Sequence, residues 1–101
     1  MIRHIILWKL RDELTAQEKQ AAAKAAKKEL ESLAGIIDGL LKIKVHINGL
    51  ESSNADMMLE SELADEAALQ AYQVHPAHVH AADTYVRPYT QVRMCMDFKA
   101  E

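Results

Sequence analysis

Three of the five histidines in this 101-residue chain lie in the run Tyr72-Gln-Val-His75-Pro76-Ala-His78-Val79-His80. Histidine is the side chain whose ordinary charge change falls near neutral pH, and a phenol is a ready hydrogen-bond donor. A Tyr–His pair brought together can move a proton beside a carbonyl: the imidazole takes the proton while the phenol O–H steadies the enolate oxygen. The same residue types can hold a polar ligand without turnover, bind a metal, or satisfy backbone groups and lock a break at Pro76. The spacing weighs against metal. Pro76 interrupts His75-x-x-His78-x-His80, a helix would point His78 and His80 to different sides, and no cysteine or carboxylate completes a set. Neither a metal nor a cofactor is expected.

The elements that must position this run are legible from periodicity. Ile2 to Leu10 reads as a strand, with His4, Ile6 and Trp8 on one face and Ile5 and Leu7 on the other. Thr15-Ala-Gln-Glu18 fits a capping box, and the Ala-, Lys- and Glu-rich run from Ala16 to Ala34 follows it as a helix. Its buried stripe reads as Ala22, Ala25, Ala26, Leu30 and Leu33, with Gly35 as the stop. Alanines in that stripe either let the helix approach a sheet closely or leave room for a ligand.

Leu41, Ile43, Val45 and Ile47 alternate with polar residues as a half-buried strand, and Ala55 to Leu63 is the third. Asp65 can cap a second helix that carries Ala68, Leu69, Tyr72 and His75 on one face and ends at His75, before the proline. Pro76 can open a further short helical turn. Val92, Met94, Met96 and Phe98 then alternate with Arg93, Cys95 and Asp97 as the last strand.

The order βαββαβ fits an α+β ferredoxin-like plait: a four-stranded antiparallel sheet with helices on one face, one domain over residues 1–101. Helices on one face leave the other bare, yet the first strand is apolar on both sides. A second copy of the chain is the economical cover, so a homodimer through the sheet face is expected.

Half of the residues are hydrophobic and the formal charge is −3, which argues against disorder and against a nucleic-acid partner. The local cluster Lys24, Lys27 and Lys28 sits beside Glu29 and Glu31 and reads as a solvated helix face. Ile5 to Trp8 is too short an apolar run to enter a membrane. Cys95 is the sole cysteine, which fits a reducing, cytoplasmic setting and an inert buried thiol. Met94 and Met96 read as packing in the dimer face, and His46 as exposed. If the Tyr–His run lines a pocket, Trp8, Met57, Leu69 and the alanine stripe supply apolar walls around a small, partly aromatic or acidic metabolite, and His4 and His75 add polar anchors.

The opening strand Ile2-Arg-His-Ile-Ile-Leu-Trp-Lys-Leu, the Tyr72-x-x-His75-Pro-Ala-His78-Val79 segment and Val86-Arg87-Pro88 together resemble the stress-responsive A/B barrel (Dabb) domain family. The resemblance implies a dimeric α+β barrel built from two plaits. The family includes plant stress proteins of unresolved activity and a plant olivetolic acid cyclase, which closes a polyketide by aldol condensation without metal or cofactor. It implies catalytic roles for His78 and Tyr72, with His78 as base and Tyr72 as donor, and places His4 and His75 near the pocket. Alanines at positions 22, 23 and 26 stand where the cyclase carries bulky aromatics, and Met57 where it carries a strand histidine, so a differently shaped pocket is implied. Three readings of this chain remain open: a binding module, a cofactor-independent cyclase or isomerase, and a purely structural dimer.

Overall fold

Alternation along the first strand sets the two sides of the sheet. In the computed structural model, which describes all 101 residues, β1 (Ile2–Leu10) buries Ile2, His4, Ile6, Trp8 and Leu10 on one side, while Arg3, Leu7 and Lys9 are exposed on the other. The remaining elements are α1 (Ala16–Glu31), β2 (Leu40–Ile47), β3 (Met57–Leu63), α2 (Glu66–Val74), α3 (Pro76–Tyr85) and β4 (Thr90–Lys99), with a 3-10 turn at Arg87–Tyr89. The four strands form one antiparallel sheet in the order β2-β3-β1-β4, the ferredoxin-like plait expected from the sequence.

All three helices lie on the face that carries His4, Ile6 and Trp8, and the core fills the space between. Leu59 and Leu63 of β3, Val45 of β2 and Leu30 of α1 are buried there with Tyr72 of α2. The opposite face has no helix over it. Register places Leu7 between Met58 and Met94, and Ile5 opposite Met96, so the β1–β4 half of this open face is apolar. Its β2–β3 half pairs Lys44 with Glu60 and Lys42 with Glu62.

Local sequence explains the helix ends. Thr15 and Glu18 form the full capping box, with reciprocal bonds of 3.1 and 2.9 Å. Asp65 accepts from the Ala68 amide at 2.8 Å and starts α2. His75 takes an extended backbone before Pro76, closing α2, and its Nδ1 accepts from the Ala77 amide at 3.1 Å to open α3.

Several expectations need correction. α1 stops at Glu31 rather than Ala34, because the Ser32 hydroxyl bonds the Glu29 carbonyl and the chain turns to bury Leu33 and Ile37. Ala23, not Ala25, joins Ala22 and Ala26 in the buried stripe, and of α1 only Leu30 reaches the internal cavity described below. The buried alanines of α1 pack in the core, and none of them borders that cavity. Leu41 is exposed and Leu40 buried, because the register slips between Leu40 and Lys42 and reverses the side each faces. Gly39 enters this turn at a φ of 83°, with Ala68 so close that a Cβ would clash at 2.7 Å. Beyond Pro76 lies not one turn but a 10-residue helix, held down by Ala81 and Ala82. Lys27 is not merely solvated: its Nζ donates to the Val45 carbonyl at 2.7 Å, while Glu31 accepts from the Val45 amide at 2.9 Å. This ion pair blocks the free edge of β2, where another strand would otherwise add.

Candidate functional site

Tyr72 sits on the inward side of α2, one turn before the break, and is completely buried. Its hydroxyl is the single buried side-chain polar atom of the protein without a hydrogen-bond partner. Burying such a group unpaired costs about 1–3 kcal/mol, so something about this position compensates for the cost. The phenol borders a cavity of about 70 Å³ between the sheet and the α2–α3 break.

His78, the third residue of α3, faces the phenol at a ring-centroid separation of 4.3 Å, and His4 approaches it edge-on at 5.9 Å. Nδ1 of His78 lies 3.2 Å from the Gln73 carbonyl. A carbonyl can only accept, so Nδ1 carries the proton and Nε2 of the neutral ring is left as the acceptor. Burial lowers the His78 pKa below its ordinary value, the Gln73 bond opposes that shift, and the charges of Arg87, His4 and Arg93 add to it. The ring is thus neutral near pH 7. The position near the start of α3 acts in the same direction, but desolvation is the larger cause. Burial pushes the Tyr72 pKa well above its ordinary 10.0, so the phenol remains a donor. A neutral acceptor and a protonated donor therefore face each other across one small space.

His4 enters from β1 with a 1% exposure, its carbonyl accepting from the Ser61 hydroxyl at 3.2 Å. Its Nδ1 donates to the carboxylate of Asp97, directly opposite on β4. Cys95 lies 3.8 Å from the same Nδ1 and 3.6 Å from Asp97. It is exposed, not buried as expected, because β4 is an edge strand projecting past the helices. Desolvation, with the Asp97 charge, raises its pKa, so the thiol stays protonated at neutral pH. His4, Cys95 and Asp97 bring three possible ligand atoms within 4.8 Å of one another, yet the imidazole nitrogen of that group is already bonded to the carboxylate.

Of the residues singled out from the sequence, His4, Trp8, Tyr72 and His78 border the cavity; Met57, Leu69 and His75 do not. Met57 and Leu69 pack into the core, and His75 spends its Nδ1 on capping α3. His46 is exposed beside Glu60 at 3.0 Å. Asp83 is exposed and pairs with Arg87 at the surface. Sequence reasoning missed Arg87 and Arg93 as cavity residues. The signal for Arg93 was present: it shares the odd-numbered side of β4 with Asp97, which pairs with His4.

Fold and site together define a ferredoxin-like plait with a small Tyr/His cavity beneath its helices and an uncovered sheet face opposite. Residues 2–100 match the Stress Responsive A/B Barrel Domain family (Dabb), and the chain belongs to that family. It is similar to a dimeric protein of unknown function and ferredoxin-like fold from Bacteroides fragilis, at 29% identity and a TM-score of 0.92, covering 98% of this chain and 95% of that one. A dimeric ferredoxin-like protein of unknown function from Thermobifida fusca matches at 27% identity and a TM-score of 0.81, over 98% and 90% of the two chains. A Dabb family protein from Mesorhizobium loti shares the fold at 23% identity and a TM-score of 0.74, over 99% and 96%. No match is found among curated proteins. No helix is long and apolar enough to cross a membrane.

Proposed function

We propose that this Dabb protein is a homodimer that holds a small carbonyl-bearing metabolite in the cavity beside Tyr72, without cofactor. The observation that carries this reading is the Tyr72 hydroxyl, fully buried on a cavity wall with no acceptor. Structural side chains of this kind are normally satisfied, as His75 is by the Ala77 amide. A ligand oxygen completes Tyr72, with Trp8, Ile6 and Leu30 as apolar walls and His4 as a neighbouring anchor.

The protonation states favour a second reading of the same site, proton transfer. Neutral His78 takes a proton from carbon next to the ligand carbonyl through Nε2, and Tyr72 donates to the oxygen that gains charge. An isomerase or an aldol-type cyclase would use this half-reaction; a binder would not.

Dimerisation rests on the open face, where Met94 and Met96 are 66% and 67% exposed beside Leu7 and Phe98. The engaged edge at Val45 favours face-to-face packing over strand addition. The lone cysteine is consistent with a cytoplasmic setting.

Butanone, a small neutral ketone, tests both readings in D2O at pH 7.5. Saturation-transfer NMR is expected to show binding that Tyr72→Phe weakens. Exchange of its α-protons for deuterium is expected to exceed the buffer rate, and His78→Ala to remove about 10²–10⁴-fold of any acceleration. Binding with no exchange leaves a binding module. Exchange that survives both substitutions overturns the assignment of His78 and Tyr72.

A further inference from the structure

The lining of the cavity is biased toward positive charge. The chain carries 15 acidic residues against 12 Lys and Arg, yet the cavity lining contains Arg87 and Arg93 and no carboxylate. Arg87 is neutralised by Asp83. Arg93 belongs to no ion pair, although its charge is felt at Tyr72, His78 and Cys95 alike. Asp97, the nearest acid to the group, is turned to His4 and does not border the space. An exposed guanidinium with no carboxylate partner, a phenol O–H without an acceptor and a neutral imidazole therefore surround one opening. The phenol lacks an acceptor oxygen, and the guanidinium, at the solvent edge, lacks a negative charge.

Size narrows the ligand further. At about 30 Å³ of liquid volume per water, the cavity of about 70 Å³ is about two waters in size. The enclosed part of a ligand is therefore a few non-hydrogen atoms, with any charged end at the mouth.

Resting on the binding reading above, we infer that the ligands of this site are short 2-oxo carboxylates. Arg93 receives the carboxylate at the mouth, and Tyr72 donates to the 2-oxo oxygen. The C3 carbon then faces His78. In the proton-transfer form of the site, His78 Nε2 takes a C3 proton. The C–H electron pair becomes the C2–C3 double bond, and the carbonyl π pair moves onto the oxygen held by Tyr72. The reverse step returns a proton to C3, so the exchange needs no oxidant, reductant or co-reactant.

Pyruvate and pyruvamide separate charge from shape, since both have six non-hydrogen atoms and differ in the carboxylate alone. Titration of the intact wild-type protein at pH 7.5 and low salt is expected to show pyruvate bound about tenfold or more tightly than pyruvamide. Arg93→Gln should remove that preference by weakening pyruvate far more than pyruvamide; raising the salt should narrow the preference in the wild type. Equal affinities for the two ligands overturn the carboxylate inference and leave the carbonyl-binding reading standing, as does binding of butanone without pyruvate. Pyruvate preference that survives Arg93→Gln overturns the role of Arg93. If pyruvate, pyruvamide and butanone all fail to bind, both the inference and the reading beneath it fall.

Discussion

The two faces of the sheet are incomplete in opposite ways. On the helix-covered face an apolar core surrounds polar groups, and one of them, the Tyr72 hydroxyl, has no partner. On the open face, apolar side chains at Leu7, Met94, Met96 and Phe98 stand in solvent. Successive residues of the same two strands supply both: His4 and Asp97 point one way, Ile5 and Met96 the other. A buried polar atom lacks an acceptor, which a small ligand can provide; a greasy patch lacks cover, which takes a large surface. The period of two in β1 and β4 thus puts the polar His4–Asp97 pair and the bare apolar patch on opposite sides of one sheet.

The sharpest way to break this comparison is to charge the open face. Leu7→Glu introduces a carboxylate between Met58 and Met94 in both copies, and a buried unpaired ion costs several kcal/mol. The dimer dissociation constant is expected to rise on the order of a thousandfold, read by sedimentation, with the monomer still folded by circular dichroism. A wild-type protein that is monomeric at micromolar concentration would remove the partner from this picture.

Truncation then measures what each face contributes within one subunit. Leu59→Ala, in the helix-side core at 1% exposure, should lower unfolding stability by about 2–5 kcal/mol in urea denaturation. Met96→Ala in the monomeric Leu7→Glu background should change it by less than about 0.5 kcal/mol, since its side chain packs against nothing in its own subunit that buries it. Similar losses at both positions would show the open face to be covered within the subunit.

Tyr72→Phe should behave unlike a core truncation. It removes an unsatisfied buried hydroxyl and keeps the ring, so the unliganded protein should gain about 1–3 kcal/mol while butanone binding weakens. A loss of stability would mean the hydroxyl already has a partner.

The smallest effect is a pH dependence. His78 has a folded pKa below its ordinary 6.5 because burial disfavours the imidazolium. As pH falls below 6.5 the unfolded chain binds that proton while the folded ring stays neutral. Its contribution to stability is therefore complete above that pH and is lost as pH falls through the folded value. Denaturation between pH 7.5 and 5 should show this decline, and His78→Gln should flatten it. A decline that persists unchanged in the variant belongs to another group.

Local patterns were legible where the physics is local. The capping box at Thr15, the Asp65 cap, the break before Pro76 and the alternation of β1 and β4 each depend on neighbours within a few residues. Errors arose where a distant contact overrode the pattern. Leu41 lost its inward side to a register slip against β3, and Lys27 left solvent to reach the backbone of β2. At the candidate site, the Tyr–His run was visible, but His75 was drawn away by capping and Arg93 was brought in from the far end of the chain.

By itself, the sequence determined the order of elements, the two apolar flanks of the first strand and the presence of a phenol beside a histidine-rich helix break. Only the tertiary structure decided that the Tyr72 oxygen has no acceptor, that His78 keeps Nε2 free, and that an unpaired Arg93 borders the same cavity. The reason is that periodicity records which side of an element a residue occupies. Whether a buried polar atom finds a partner is settled by side chains that meet across α2, α3, β1 and β4, far apart in sequence.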